Sequence, residues 1–486
     1  MSTEIKNLEP KAIWDIFYEL TQIPRPSKKE EKAVEFAKSF GEKLGLETIV
    51  DPVGNVIIKK PATPGFENRV GVILQGHLDI VPQKNSDTRH DFEKDPINAH
   101  IDGEWVTAKG TTLGSDNGMG VAAGLAVLQD NTLKHGPIEV LMTVDEETGM
   151  TGAFELQGGL LDGKILMNLD SEDEGELYIG CAGGIDVTGK LTYSEEAVPA
   201  GSEAFKLSLT GLKGGHSGLD INLGRGNSNL LISRFMFEAA EKFGMRIASI
   251  DGGDLRNAIP RESFATVIVP GEQKSDFLDS VEEYESTYKS ELGSAEPELS
   301  FKAEPAELPD SLIDEAAQAK LIRTVYGLPN GTIRMSVDMP GVVETSTNLA
   351  IVKSGNGEID ILCLVRSSVD TAKMSLAYSL QSVLELAGAE VALSGSYPGW
   401  KPDVDSPILA TMKKVYERDF GKVPDVKVIH AGLECGIIGD VYPGLDMISF
   451  GPTIRFPHSP DEKVHIGSVQ KFWDYLIRTL EEVPVS

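Results

Sequence analysis

The residues best able to do chemistry lie in short polar stretches along the chain: His77 and Asp79 in GHLD, Asp116 in TTLGSDNGMG, Glu146 and Glu147 in DEETG, Asp170 in NLDSE, and His458 in FPHSP. Imidazole and carboxylate donors in this mixture suit zinc, which accepts nitrogen and oxygen ligands. His77 and Asp79 stand two apart, so one can ligate while the other accepts the free ring N–H and fixes the tautomer. Neighbouring carboxylates repel unless a cation separates them. Glu146 and Glu147 therefore suggest a division of labour, one binding metal and the other acting as general base. Taken singly, each stretch has a plainer explanation: Asp116 a helix N-cap, the Glu pair a solvated loop, Asp170 an acidic surface turn, His458 an ordinary loop histidine. In the order His, Asp, Glu, Asp, His they form a coherent ligand set.

Such a set needs elements that bring it together. The apolar runs at 70–74, 138–144 and 164–169 are short, and a helical segment at 117–128 lies among them, which predicts an α/β sheet buried on both faces. Each run leads directly into a polar cluster: GHLD, DEE or DSE. Ligand sites in open α/β sheets gather at the carboxyl ends of strands, so His77, Asp79, Glu146, Glu147 and Asp170 are expected to be neighbours. Two amphipathic helices precede the sheet, one carrying Ile13, Phe17 and Leu20, the other Ala33, Phe36, Ala37, Phe40 and Leu44.

After about residue 187 the pattern changes. Strands at 205–210 and 263–269 alternate with helices at 227–243, 277–292, 311–326 and 371–387, with a hairpin turning at 355–357 and a strand near 390–393, which predicts an α+β domain. The turn-rich SGSYPGWKP at 394–402 marks the return to the first domain, which closes with a helix at 468–482 bearing Phe472, Leu476 and Leu480. The predicted organisation is a first domain from 1–186 and 397–486, interrupted by an inserted domain at 187–396, with no clear internal sequence repeat.

A chain of 486 residues exceeds what one core usually serves. With 41% hydrophobic and 25% charged residues it has an ordinary globular composition. Against 45 Lys and Arg stand 75 Asp and Glu, and the resulting net charge of -30 argues against nucleic acid and anionic membranes as partners. The charged residues among the first twenty leave no apolar core for a signal peptide, and no apolar run approaches the roughly 20 residues of a membrane helix. The 3 scattered cysteines suit a reducing compartment, and a cytoplasmic location is expected.

The motifs GHLD, GSDNG, DEETG, NLDSE and FPHSP resemble those of the carboxypeptidase G, aminoacylase and peptidase T superfamily of co-catalytic zinc hydrolases. The stretches QGHLDIVPQKN, DSEDEGE, CAGG and IHAGLECG are most similar to its branch of Xaa-His dipeptidases. The resemblance implies an α/β catalytic domain with a mixed central sheet flanked by helices, and an inserted α+β lid and dimerisation domain. It further implies two Zn2+ per subunit, with Mn2+ or Co2+ as possible substitutes. Asp116 would bridge the ions, His77 and Asp170 completing one site, Glu147 and His458 the other. Asp79 would orient His77, and Glu146 would be the general base for a metal-bound water. A cis peptide at Asp116-Asn117 belongs to the same expectation.

Substrate contacts are expected from the same source. His216 in GLKGGHSG would approach the carbonyl oxygen from the lid, in its own or a partner subunit, and Asn257 in RNAIP and Arg366 in LVRSS would contact the substrate, Arg366 at a peptide carboxylate. Glu434 in HAGLECG would meet a substrate ammonium. The implied activity is hydrolysis of unblocked dipeptides, preferentially Xaa-His and including β-alanyl-histidine, by a homodimer. The rival readings are an N-acyl amino acid deacylase, a tripeptidase, and a non-catalytic zinc-binding scaffold.

Overall fold

Side chains at Val72–His77, Ile138–Thr143 and Ile165–Asn168 are buried at every position, as strands covered on both faces require. They belong to an eight-stranded mixed sheet. Its order is Glu47–Val50, Val56–Lys60, Ile138–Thr143, Val72–His77, Ile165–Asn168, Asp446–Ser449, Glu176–Cys181, Asp425–Ile429. The four inner strands from Ile138–Thr143 to Asp446–Ser449 run parallel. Their carboxyl ends therefore lie on one edge and release GHLD, DEE and DSE side by side.

Helix Ser115–Gln129 is buried around nearly its whole circumference, consistent with its small and apolar sequence. The amphipathic helices Lys11–Thr21, Glu31–Lys43 and Ile466–Glu482 bury Ile13, Phe17 and Leu20; Ala33 and Ala37; Phe472, Leu476 and Leu480 respectively.

The computed structural model describes residues 3–485. These elements belong to a unit comprising the chain up to Gly180, Trp400–Val428, and Leu433 onward. The other unit comprises Cys181–Gly399 with Ile429–Gly432. That second unit is built on a nine-stranded antiparallel sheet. Helices Ser228–Phe243, Lys274–Leu292, Glu315–Gly327 and Asp370–Leu386 supply much of the rest of its fold. Phe205, Phe235, Phe277, Tyr288 and Phe301 share its core. The hairpin between Val343–Gly355 and Glu358–Ser367 turns through Asn356 and Gly357, both at positive φ, as a tight two-residue connection demands. Strand Glu390–Tyr397 runs through Ser394-Gly395-Ser396, so the turn-rich segment begins later than its composition suggested. Among the described residues, no helix is long and apolar enough to cross a membrane.

Candidate metal centre

Strand Val72–His77 ends on a fully enclosed imidazole, His77 being 1% exposed. Its Nδ1 lies 3.2 Å from the Asp79 carbonyl and 3.4 Å from Asp79 Oδ1, which leaves Nε2 facing the carboxylates. Asp116 Oδ1 stands 3.1 Å from His77 Nε2, and Asp116 Oδ2 stands 3.2 Å from His458 Nε2. One carboxylate is thus bracketed by two histidines 381 positions apart, as the numbering shows. Asp170 Oδ1 approaches His77 Nε2 at 3.4 Å, while Glu147 Oε2 approaches His458 Nε2 at 2.9 Å.

Asp116 is not the helix cap that its sequence context first suggests. It sits inside the first turn of Ser115–Gln129 with non-helical backbone angles, and the peptide joining it to Asn117 is cis. Asn117 Nδ2 donates to the Leu169 carbonyl at 2.8 Å, tying this turn to the segment that carries Asp170.

Glu146 and Glu147 leave their strand through Asp145, a non-glycine residue at φ 53. That left-handed conformation needs support. The Asp145 N–H donates to Glu30 Oε1 at 2.9 Å, and its carboxylate accepts from the hydroxyls of Thr148 and Thr151. The backbone N–H groups of Glu146 and Glu147 donate to the Asp79 carboxylate at 3.0 and 3.1 Å, and Ser27 Oγ donates to it at 2.8 Å. Asp79 therefore fixes the Glu pair as well as standing beside His77, a connection sequence reasoning missed.

The electrostatics describe a cluster short of positive charge. Burial would raise the Asp79 carboxyl, but His77, the Glu146 N–H and Ser27 together hold it down to about 2. Burial opposes protonation of His77, yet Asp170, Asp116 and Asp79 outweigh it and push the imidazole well above its ordinary value. Hydrogen bonds to Asp116 and Glu147 raise His458 to about 11. Burial lifts Asp170 to about 7 despite His77, with Asp116 adding to the effect. Glu146 is also pushed well above the carboxylate range by burial; His77 opposes this, while Asp170, Glu434 and Glu147 reinforce it. A cluster whose imidazoles are held towards their charged form by crowded carboxylates is one that a cation would relieve, releasing protons as it bound.

Among the described residues, four groups of donor atoms lie within 4.8 Å of one another and could hold a cation: His77 with Asp116 and Asp170, Asp116 with Glu147 and His458, His77 with Glu146 and Glu147, and the all-carboxylate Glu30, Asp79 and Asp145. The first two share one carboxylate, that of Asp116. The buried oxygens Glu147 Oε1 and Asp170 Oδ1 make no hydrogen bond, which leaves them available as ligands. The mixed imidazole and carboxylate set suits zinc chemistry.

Glu434 opens helix Glu434–Val441 and is 2% exposed. Gln75 Nε2 and Thr143 Oγ1 donate to its Oε2 at 2.6 and 2.8 Å, while its Oε1 has no hydrogen-bond partner. Burial raises this carboxyl to about 7, with the neighbouring His77 acting against it.

Within the second unit, Arg366 is 5% exposed rather than a surface residue. Its guanidinium donates to Tyr397 Oη at 2.8 Å and Ser217 Oγ at 3.3 Å, and Nη2 lies 3.5 Å from His216 Nε2. His216 Nδ1 accepts from the N–H groups of Gly218 and Leu219 at 3.1 and 3.0 Å. Burial and the adjacent Arg366 lower its pKa. Asn257 is exposed in the turn before Ala258–Ile259, and its carbonyl accepts from the Ser217 N–H at 2.8 Å. The structure thus groups His216, Asn257 and Arg366 around Ser217. It also reveals His430, whose Nε2 lies 2.7 Å from Ser346 Oγ, and which sequence reasoning passed over.

Comparison with known proteins agrees with this architecture. The chain is 48% identical over 482 residues to the cytosol non-specific dipeptidase of Escherichia coli K12, covering 99% of each chain. The crystal structure of aminoacylhistidine dipeptidase from Vibrio alginolyticus superposes with a TM-score of 0.96 at 50% identity, covering 99% of this chain and 98% of that one. The aminopeptidase PepT from Bacillus cereus shares the fold at a TM-score of 0.57 and 16% identity, covering 98% and 99%. Residues 73–482 match the profile of peptidase family M20/M25/M40, and the chain belongs to that family of peptide hydrolases.

Proposed function

We propose that the chain is a cytoplasmic dipeptidase acting on unblocked dipeptides with a preference for Xaa-His, including β-alanyl-histidine. In this reading His77, Asp116 and Asp170 would hold one zinc ion, and Asp116, Glu147 and His458 would hold a second. The observation that carries it is the Asp116 carboxylate lying between two histidines, each with a further carboxylate beside it. Dipeptide substrates are supported by the relative named a non-specific dipeptidase and the one named an aminoacylhistidine dipeptidase.

When bound, the two ions supply an acidified water and a Lewis acid for the scissile carbonyl. Glu146 takes the proton that the attacking water loses and delivers it to the leaving amine, a role suited to a carboxylate held beside the ligand cluster. Asp79 holds Glu146 at its backbone N–H and so sets the reach of the base. Glu434, with one buried oxygen unpaired, receives the substrate ammonium. Arg366 takes the substrate carboxylate, Asn257 adds a polar contact, and His216 donates to the developing oxyanion.

A panel of free dipeptides, N-acetylated dipeptides and tripeptides, run with metal-free and zinc-restored enzyme, tests this reading. Zinc-dependent cleavage confined to free dipeptides and fastest with carboxyl-terminal histidine is expected. Equal cleavage of acetylated substrates would favour the deacylase instead.

A further inference from the structure

Arg25 and Glu462 are buried ionisable residues that the scheme above does not use, each being 2% exposed. Arg25 Nη1 donates to the carbonyls of Leu78 and Asp79 at 2.7 and 3.3 Å, and Nη2 donates to the Gly114 carbonyl at 2.7 Å. Glu462 Oε2 accepts from the N–H groups of Leu113 and Gly114 at 2.8 and 3.0 Å. Its Oε1 accepts from the Ser115 N–H at 2.8 Å, from Ser115 Oγ at 2.6 Å and from the Asp116 N–H at 3.3 Å. Gly114 is therefore gripped at its carbonyl by the Arg25 guanidinium and at its N–H by the Glu462 carboxyl group.

The glycines around Asp116 follow from this grip. Gly114 adopts φ 73, and a Cβ there would lie 2.8 Å from Ile80 Cγ2 and 3.0 Å from Arg25 Nη2. A Cβ at Gly118 would lie 2.7 Å from the same nitrogen. The guanidinium thus packs against both ends of G-S-D-N-G.

We propose that Arg25 and Glu462 are positioning residues that set the Asp116 carboxylate between His77 and His458. Arg25 joins the Asp116 loop to the strand end that carries His77 and Asp79. Glu462 joins the same loop to the segment that carries His458, four residues before it in sequence. Burial raises the Glu462 carboxyl and the Asp116 charge adds to this, while the Ser115 hydroxyl and the Gly114 and Asp116 N–H groups oppose it, so its hold on the loop is set by the geometry of five converging donors. Burial lowers Arg25 only to about 10, so it remains a cation at neutral pH. Neither residue touches the donor atoms of the cluster; each acts through backbone that carries them. Outer groups of this kind tune metal affinity by orienting ligands. The inference rests on reading the cluster as a metal centre.

Titration of the metal-free protein with Co2+ tests it, with affinity read by competition against a chromophoric chelator and geometry read from the visible d–d absorption. Glu462→Gln keeps the shape but turns an amide NH2 towards backbone donors, and Arg25→Lys cannot span both the Leu78 and Gly114 carbonyls. Each is expected to bind Co2+ about tenfold to a hundredfold more weakly, with altered d–d bands. Glu146→Gln, a control, is expected to retain Co2+ affinity while losing turnover. A folded Glu462→Gln protein with wild-type affinity and spectrum would overturn the positioning role. If that variant does not fold, Ser115→Ala, which deletes one of the donors, decides: a loss on the order of a few-fold in affinity supports the role, and unchanged affinity overturns it. Wild-type protein that bound no Co2+ would instead overturn the metal-centre reading itself, and the role of the two residues with it.

Discussion

Glu146→Gln removes a proton acceptor while leaving the backbone N–H to Asp79 in place, so the cluster should keep its shape. Turnover is expected to fall by roughly a hundredfold to ten-thousandfold, the range for a lost general base, with bound metal unchanged. Metal analysis after exhaustive dialysis addresses the ligands. Asp170→Asn should leave one tightly held ion per chain, whereas Asp116→Asn, which weakens both donor groups, should leave neither tightly held. Equal stoichiometry in the two variants would contradict the shared carboxylate. For Glu434→Gln, the preference for free over N-acetylated dipeptides should narrow on the order of tenfold to a hundredfold, as expected for one charged hydrogen bond. An unchanged ratio would place the substrate ammonium elsewhere. The clustered residues were readable in the sequence because His77, Glu146, Glu147 and Asp170 directly follow apolar runs. Arg25 and Glu462 were not, because their partners are backbone groups of Gly114 at separations of 89 and 348 residues, and a backbone donor or acceptor has no residue type to recognise.

At the scale of elements, helix Ser115–Gln129 has little room on the face towards the sheet. A Cβ at Gly120 would lie 2.5 Å from the Leu169 carbonyl oxygen and from Asn117 Oδ1. Gly120→Ala must therefore shift either the helix or the segment leading to Asp170, and a destabilisation of about 1–3 kcal/mol in chemical denaturation is expected. Gly158→Ala is the control, since a Cβ there meets nothing within 4 Å. It should be neutral or slightly stabilising through the unfolded chain. Equal effects at the two positions would remove the packing argument. Periodicity revealed the long helices, and continuous apolar runs revealed three of the four inner parallel strands, because both signals come from burial; the fourth, Asp446–Ser449, is only half-buried over its first two residues. Glu47–Val50 and Asp425–Ile429 were overlooked because their positions are exposed or only half-buried, which leaves no apolar run to recognise.

For the whole molecule, a net charge of -30 sets the terms on which two copies can meet. Like-charged chains repel over about a Debye length, roughly 10 Å at 0.1 M salt and 30 Å at 0.01 M. The homodimer that the family resemblance implies would have to gain more from a buried interface than this repulsion costs, and the repulsive part alone is screened by salt. Sedimentation velocity should therefore find a dimer near 0.15 M salt whose dissociation constant rises as salt is lowered towards 0.01 M. Apolar burial is not weakened by dilution of salt, so the direction of the change separates the two contributions: an interface held chiefly by opposite charges would tighten instead. A monomer at every salt concentration, with full dipeptidase activity, would eliminate the dimer and with it any need for His216 to come from a second chain.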